Sequence, residues 1–174
     1  TYDERGNVID SIGHQRGKFR EKLAYNADNM VIQRTLMDSL GNVLQDLKRD
    51  IDEDGNESAF YYYDGDGKLS YSEKRTYDDE DRLIKLTSYD STGNDYSAVV
   101  YKYNEAGDVT EVQELVADGK IMYKSLTTYT PEGWKASVAV YDSNGNLLEK
   151  TLFTAHDKEG EPIAGQRYGM GGDS

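Results

Sequence analysis

Large residues, mostly tyrosine, return along the chain at intervals that alternate strictly between 12 and 14 residues: Tyr25, Met37, Ile51, Tyr63, Tyr77, Tyr89, Tyr103, Leu115, Tyr129 and Tyr141. Each opens a short polar stretch, and between these stretches apolar and polar residues alternate with the period of two that belongs to a half-buried strand. The repeat is therefore 26 residues long and holds two strands and two turns.

The polar stretches share one chemistry. One residue after the opener stands Asp38, Asp52, Asp64, Asp78, Asp90 or Asp142, or else Asn26 or Asn104. These short side chains bond the backbone two residues on. Four residues after the opener stands a glycine (Gly41, Gly55, Gly67, Gly93, Gly107, Gly119, Gly133, Gly145), with Asn29 or Asp81 in the two exceptions. All are residue types that accept a left-handed backbone. This specifies a type I turn closed by a left-handed bulge residue, the three-residue hairpin loop, with the opener facing the residue six positions later. Tyr25 then meets Val31, Tyr63 meets Leu69, and Tyr141 meets Leu147, each a favourable cross-strand pair. Ile51 with Glu57, Tyr89 with Asp95 and Tyr129 with Lys135 depart from that apolar pairing.

The fold class that follows is all-β: an up-and-down antiparallel meander of about a dozen strands, ending as a curled sheet or an open spiral. Because 12 and 14 are both even, every opener is expected on one sheet face, as a tyrosine ladder, with aliphatic residues such as Val100, Val112, Leu126 and Val140 on the other. Residues 1–165 read as a single array, regular over 25–150 and looser towards "GHQRGKF" and "HDKEGEPI"; residues 166–174 read as a flexible tail. Thr1 opens in mid-pattern without a charged leader and apolar segment, as a trimmed chain would.

Charge narrows the partners. With 20 basic and 33 acidic residues the net charge is −13, which repels nucleic acid and anionic lipid surfaces. No apolar run is long enough for a spanning helix, and charges on both expected faces argue against membrane insertion as a barrel. The chain has no cysteine, which removes disulfides and a thiol nucleophile. An open meander leaves two edge strands, so self-association through them is expected.

The recurring turns "YDERGN", "YDSTGN" and "YDSNGN" resemble the YD repeat of Rhs-type and teneurin-type proteins, and the resemblance runs from Tyr2 to Ile163. It implies a long β-sheet without catalytic residues of its own, in a secreted or surface-displayed protein, acting as scaffold or adhesive module. Bacterial members often carry a toxin or other cargo; no recognisable cargo domain is present here. The strict 12/14 alternation and the short length depart from the family. MORN-like and cell-wall-binding hairpin repeats use Tyr and Gly in a related way.

Three kinds of site chemistry remain. Tyr71, Tyr77, Tyr89, Tyr101, Tyr103, Tyr123, Tyr129, Tyr141 and Trp134 are the candidates for stacking on cell-wall or surface sugars, against the alternative that they pack the sheet. Asp50, Asp52 and Asp54 stand two apart before Gly55, with Asn56 and Ser58 following, which is the acidic core of a weak calcium loop; no other cofactor is indicated. The "DGDGK" segment reads instead as a hairpin turn, because Tyr62 would occupy the first ligand position of a calcium loop centred on Gly67. An enzyme is not expected, since His14 and His156 lie near opposite ends and no nucleophile, acid pair or phosphate loop can be assigned.

Overall fold

The computed structural model describes residues 1–13 and 19–169. Thirteen strands follow one another in a single antiparallel sheet whose spatial order is the sequence order. They are β1 (Asp10–Gly13), β2 (Phe19–Tyr25), β3 (Val31–Met37), β4 (Val43–Ile51), β5 (Glu57–Asp64), β6 (Leu69–Tyr77), β7 (Leu83–Asp90), β8 (Asp95–Tyr103), β9 (Val109–Val116), β10 (Ile121–Tyr129), β11 (Lys135–Tyr141), β12 (Leu147–His156) and β13 (Pro162–Gly169). Within this sheet the chain divides into two compact units, residues 1–76 with 87–95 and residues 77–86 with 96–174. The last strand runs on to Gly169, so residues 166–169 are sheet where a flexible tail was expected; residues 170–174 lie outside the described residues, as does most of "GHQRGKF" with His14.

The turns are built as the residue types require. The amide one position after the opener donates to the carbonyl five positions after it, and the amide of the left-handed residue donates back, at 2.7–3.3 Å. The side-chain oxygen of Asp or Asn then accepts two further turn amides. Asp38 takes those of Leu40 and Asn42, Asp90 those of Thr92 and Asn94, and Asp142 those of Asn144 and Asn146. The loop amides one, three, four and five positions after the opener thus all have partners. The left-handed residue is glycine in most turns and Asn29 or Asp81 in two, at φ 62° and 59°. The turn after Leu115 differs, because Val116 replaces the capping Asp, and Asp118 and Gly119 are both left-handed.

The rule also reaches the ends of the array. Tyr2 bridges Val8 around the Asp3 turn, and His156 pairs with Pro162 around the Asp157 turn. His156 follows Tyr141 by 15 residues, one more than the repeat allows. That extra residue is absorbed as irregular register between Phe153 and His156.

The expectation that all openers share a face is overturned. After eight of these opener pairs the returning strand carries one unpaired residue. Ala24 pairs with Gln33 although Tyr25 pairs with Val31, which leaves Ile32 extra. Leu44, Ser58, Ser70, Thr110, Met122, Ala136 and Leu148 are extra in the same way. Each bulge shifts the alternation by one residue, and one residue exchanges the faces. Met37 therefore lies on the face opposite Tyr25, and Leu115 on the face opposite Tyr103.

In the first unit one face carries Tyr25, Leu36, Leu47, Ile51, Phe60, Tyr62 and Tyr71, while Met37, Ala59, Tyr63 and Ser72 lie on the other. In the second unit Val112, Tyr123, Tyr129, Val138 and Val140 share the face of Tyr103, and Leu126, Ala139 and Tyr141 share that of Leu115. The aliphatic residues grouped together by simple counting are thus divided between the two faces. Burial is shallow throughout. Met37, Ala59 and Ala139 are the buried apolar residues, with Ser72, Thr87 and Ser137 as buried polar ones. They are mostly small groups covered by longer cross-strand neighbours, Ser72 by Tyr61 and Ala139 by Leu126.

Candidate functional site

The nine aromatic candidates do not form one platform. Tyr103 and Tyr129 each point a hydroxyl at the backbone, donating to the carbonyls of Leu83 at 2.7 Å and Val109 at 2.8 Å. Tyr25 does the same to Val8 at 2.9 Å. Each acceptor closes the preceding hairpin at the same end of the sheet, so the phenols tie successive turns together. Burial raises the phenol pKa of both Tyr103 and Tyr129. Replacing Tyr129 by Phe is expected to cost about 0.5–1.5 kcal/mol, whereas Tyr141→Phe, which deletes no hydrogen bond, should cost less; urea denaturation of the two variants separates these outcomes.

Other rings are covered by cations of the same sheet. Lys48 lies over Tyr63, Lys74 over Tyr89, Arg82 over Tyr103 and Lys124 over Tyr141, at 4.9 to 5.8 Å from the ring centroids. Tyr71 packs against Phe60 and stacks on Tyr62, with centroids 5.8 and 5.7 Å apart. Tyr77 and Tyr101 are half-buried within their strands. The two most open candidates are Tyr123, 42% exposed, and Trp134, 37% exposed. Tyr123 borders a shallow depression of about 400 Å³ with Val112, Glu114, Ser125 and Val140. Trp134 lines a second groove with Tyr129 and Lys135.

His156 is held by the neighbouring hairpin. Its Nε2 shares a hydrogen bond of 2.7 Å with the carbonyl of Lys135, which closes the preceding hairpin at that end, and its ring lies 5.3 Å from that of Trp134. It does for the last hairpin what Tyr103 and Tyr129 do for earlier ones. The sequence signal was present: Asp157, Gly160 and Pro162 follow His156 at the repeat's own spacings, hidden by the single extra residue before it.

The carboxylates of the Asp50 turn are engaged separately. Asp52 accepts the amides of Asp54 and Asn56 as the turn cap, Asp50 accepts the hydroxyl of Tyr61 at 2.9 Å, and Ser58 donates to the backbone of Asp50. The hydrogen bond it donates to Asp50 raises the Tyr61 phenol above its ordinary value. Among the described residues no group of three or more His, Cys, Asp or Glu side chains stands together as a metal site. In the "DGDGK" turn Asp64 accepts the amides of Asp66 and Lys68, and Glu73 pairs with Arg75 on the following strand. Glu57 joins this pair and bridges Arg49 as well, forming a charged row across β4, β5 and β6.

No protein-family model matches the chain, and no curated protein matches it. Among solved structures, TcdB2-TccC3 is similar over 97% of this chain at 11% identity and a TM-score of 0.45, and its structure with Cdc42 over 91% at 12% identity and 0.43. A porin-like protein from Bacteroides uniformis is similar over 96% of this chain and 85% of its own length, at 12% identity and a TM-score of 0.48. The chain spans 12% of the length of the TcdB2-TccC3 chains.

Proposed function

We propose that this chain is a non-catalytic β-hairpin repeat array of the YD type its turns resemble, acting as a scaffold or adhesive module within a secreted or surface-displayed protein. The observation that carries the reading is the uniform duty of its prominent residues. Asp and Asn cap turns, glycines hold left-handed positions, and tyrosines join one hairpin to the next. In such an array each unit leans mainly on its neighbours, so whole repeats can be lost without loss of the fold.

Deleting residues 104–129, one complete repeat, should leave a cooperatively unfolding sheet with a smaller denaturant dependence. Collapse to an unfolded chain would count against the array. Protease accessibility of the protein on intact cells tests the location: recovery only from the cytosol would sink the surface role.

A second reading, carbohydrate binding, is favoured at one place by Tyr123, whose ring stands open beside Glu114 and Ser125. Aromatic stacking with polar groups at its rim is the chemistry that holds a pyranose. Tyr123→Ala should then abolish retention on cell-wall glycan beads, and unchanged retention rejects it.

A further inference from the structure

The position five residues after the opener is polar or charged in most turns, as in Asn42, Asn56, Lys68, Arg82, Asn94 and Asn146, but Trp134, the one tryptophan of the chain, occupies it in the hairpin after Tyr129. Where Asn or Arg stands there, the side chain serves its own turn. Asn42 donates to Asp38, Arg82 to Asp78 and Asn146 to Asp142. The indole makes no such bond. It lies against His156 and Gly160 of the next hairpin at the same end of the sheet and borders a groove of about 570 Å³ with Tyr129, Lys135, Asp108, Glu159 and Glu161. A residue that breaks the local rule of a repeat without serving its turn marks a place to seek function.

The surroundings select a cation. The sheet covers Tyr63, Tyr89, Tyr103 and Tyr141 with its own lysines and an arginine, and Trp134 is not among the rings so covered in the described residues. Indole is the strongest of the aromatic side chains at holding a cation. Three acidic residues, Asp108, Glu159 and Glu161, line the groove against one lysine, Lys135, and the net charge of −13 draws cations towards the chain. Asp108 accepts the Asn104 amide at 3.1 Å. Among the described residues the Glu159 carboxylate pairs with exposed Lys158 at 3.6 Å, a weak surface contact open to exchange. The volume falls in the range of small-ligand sites.

We propose that this groove binds a guanidinium or primary ammonium group on an apolar stem, the cation resting on Trp134 and bonded by Glu159 and Glu161. The inference goes beyond the scaffold reading and does not rest on it. The cation has two candidate sources, an arginine of a partner peptide and a free polyamine.

The single tryptophan makes the test direct. Its emission is titrated at fixed ionic strength with capped tetra-arginine, the matching citrulline peptide, spermine and chitotetraose. Saturable change with tetra-arginine or spermine, and affinity at least about tenfold weaker for the citrulline peptide, is the expected result; whichever cation binds more tightly identifies the source. Glu159→Gln with Glu161→Gln should weaken binding by about tenfold, while Glu4→Gln with Glu53→Gln removes equal charge elsewhere and should leave it within about twofold. Calorimetry extends the test to Trp134→Phe, which should bind weakly, and to Trp134→Ser, which should not bind. The proposal is overturned by the absence of saturation with either cation, by an equal response to citrulline, by preference for chitotetraose, or by equal loss in the remote double variant.

Discussion

Gly160→Ala is expected to destabilise the array by about 2–5 kcal/mol, more than alanine at the other left-handed glycines of its turns. Two costs add. Gly160 sits at φ +84°, where an L side chain is strained by about 1–2 kcal/mol, a cost common to these glycines. A Cβ there would also lie 2.5 Å from Cδ1 and 2.6 Å from Nε1 of Trp134, with Cγ at 3.2 Å, whereas a Cβ on Gly107 would meet nothing within 4 Å. Cγ is fixed close to the tryptophan backbone, and His156 stands against the ring, so the indole cannot swing clear at small cost. Gly107→Ala should therefore show the backbone term alone, and Gly107→Asn less than that, since Asn29 holds the same conformation natively. Urea denaturation of Gly160→Ala, Trp134→Ala and the double variant measures the coupling. The double variant should recover the steric part; equal losses at Gly160 and Gly107 would show that the indole does not press on this turn.

Acid should melt the sheet from its turns. Asp90 is held down to about 2 from an ordinary value of 3.8 by the hydroxyl of Thr92, then by the amides of Thr92 and Asn94. The Asn42 side chain lowers Asp38, the Arg82 guanidinium lowers Asp78 and the Asn146 side chain lowers Asp142. In each case the folded carboxylate takes its proton at lower pH than the unfolded one. The stability these caps contribute is thus present above the unfolded value and is lost as pH falls through the folded one. The window for Asp90 runs from about pH 4 down to about 2. Because the caps Asp3, Asp38, Asp78, Asp90 and Asp142 are all lowered, their losses accumulate over one range. A circular-dichroism titration should show unfolding there, and Asp90→Asn should flatten its own share of the pH dependence, since Asn26 and Asn104 already cap turns without a charge. A melting temperature unchanged between pH 5 and 2 would refute this account.

The turn chemistry was readable because it is local. An Asp or Asn, two free residues and a left-handed glycine define their hydrogen bonds within five residues of chain, and those bonds are present at Asp38, Asp90 and Asp142. The candidate sites were less readable. Residue type marked Tyr89, Tyr103 and Tyr129 as rings suited to stacking, but Lys74 and Arg82 cover the first two, and the hydroxyls of the last two are spent on carbonyls twenty residues back. Neither partner lies in the same turn, so no spacing rule announces it. Likewise Asp50, Asp52 and Asp54 stand two apart in sequence, yet one binds a tyrosine and another caps its turn.

By itself the sequence determined the repeat, the place and type of nearly every turn, and the order of strands, since each follows from residue chemistry over a few positions. Tertiary pairing decided which side chains share a face. The residues left unpaired beside the turns, such as Ile32, Leu44, Ser58, Thr110 and Ala136, share no residue type that could betray a bulge. A side chain's face depends on the number of paired positions and not on the number of residues, so one uncounted residue in a hairpin puts Met37 opposite Tyr25 and Leu115 opposite Tyr103.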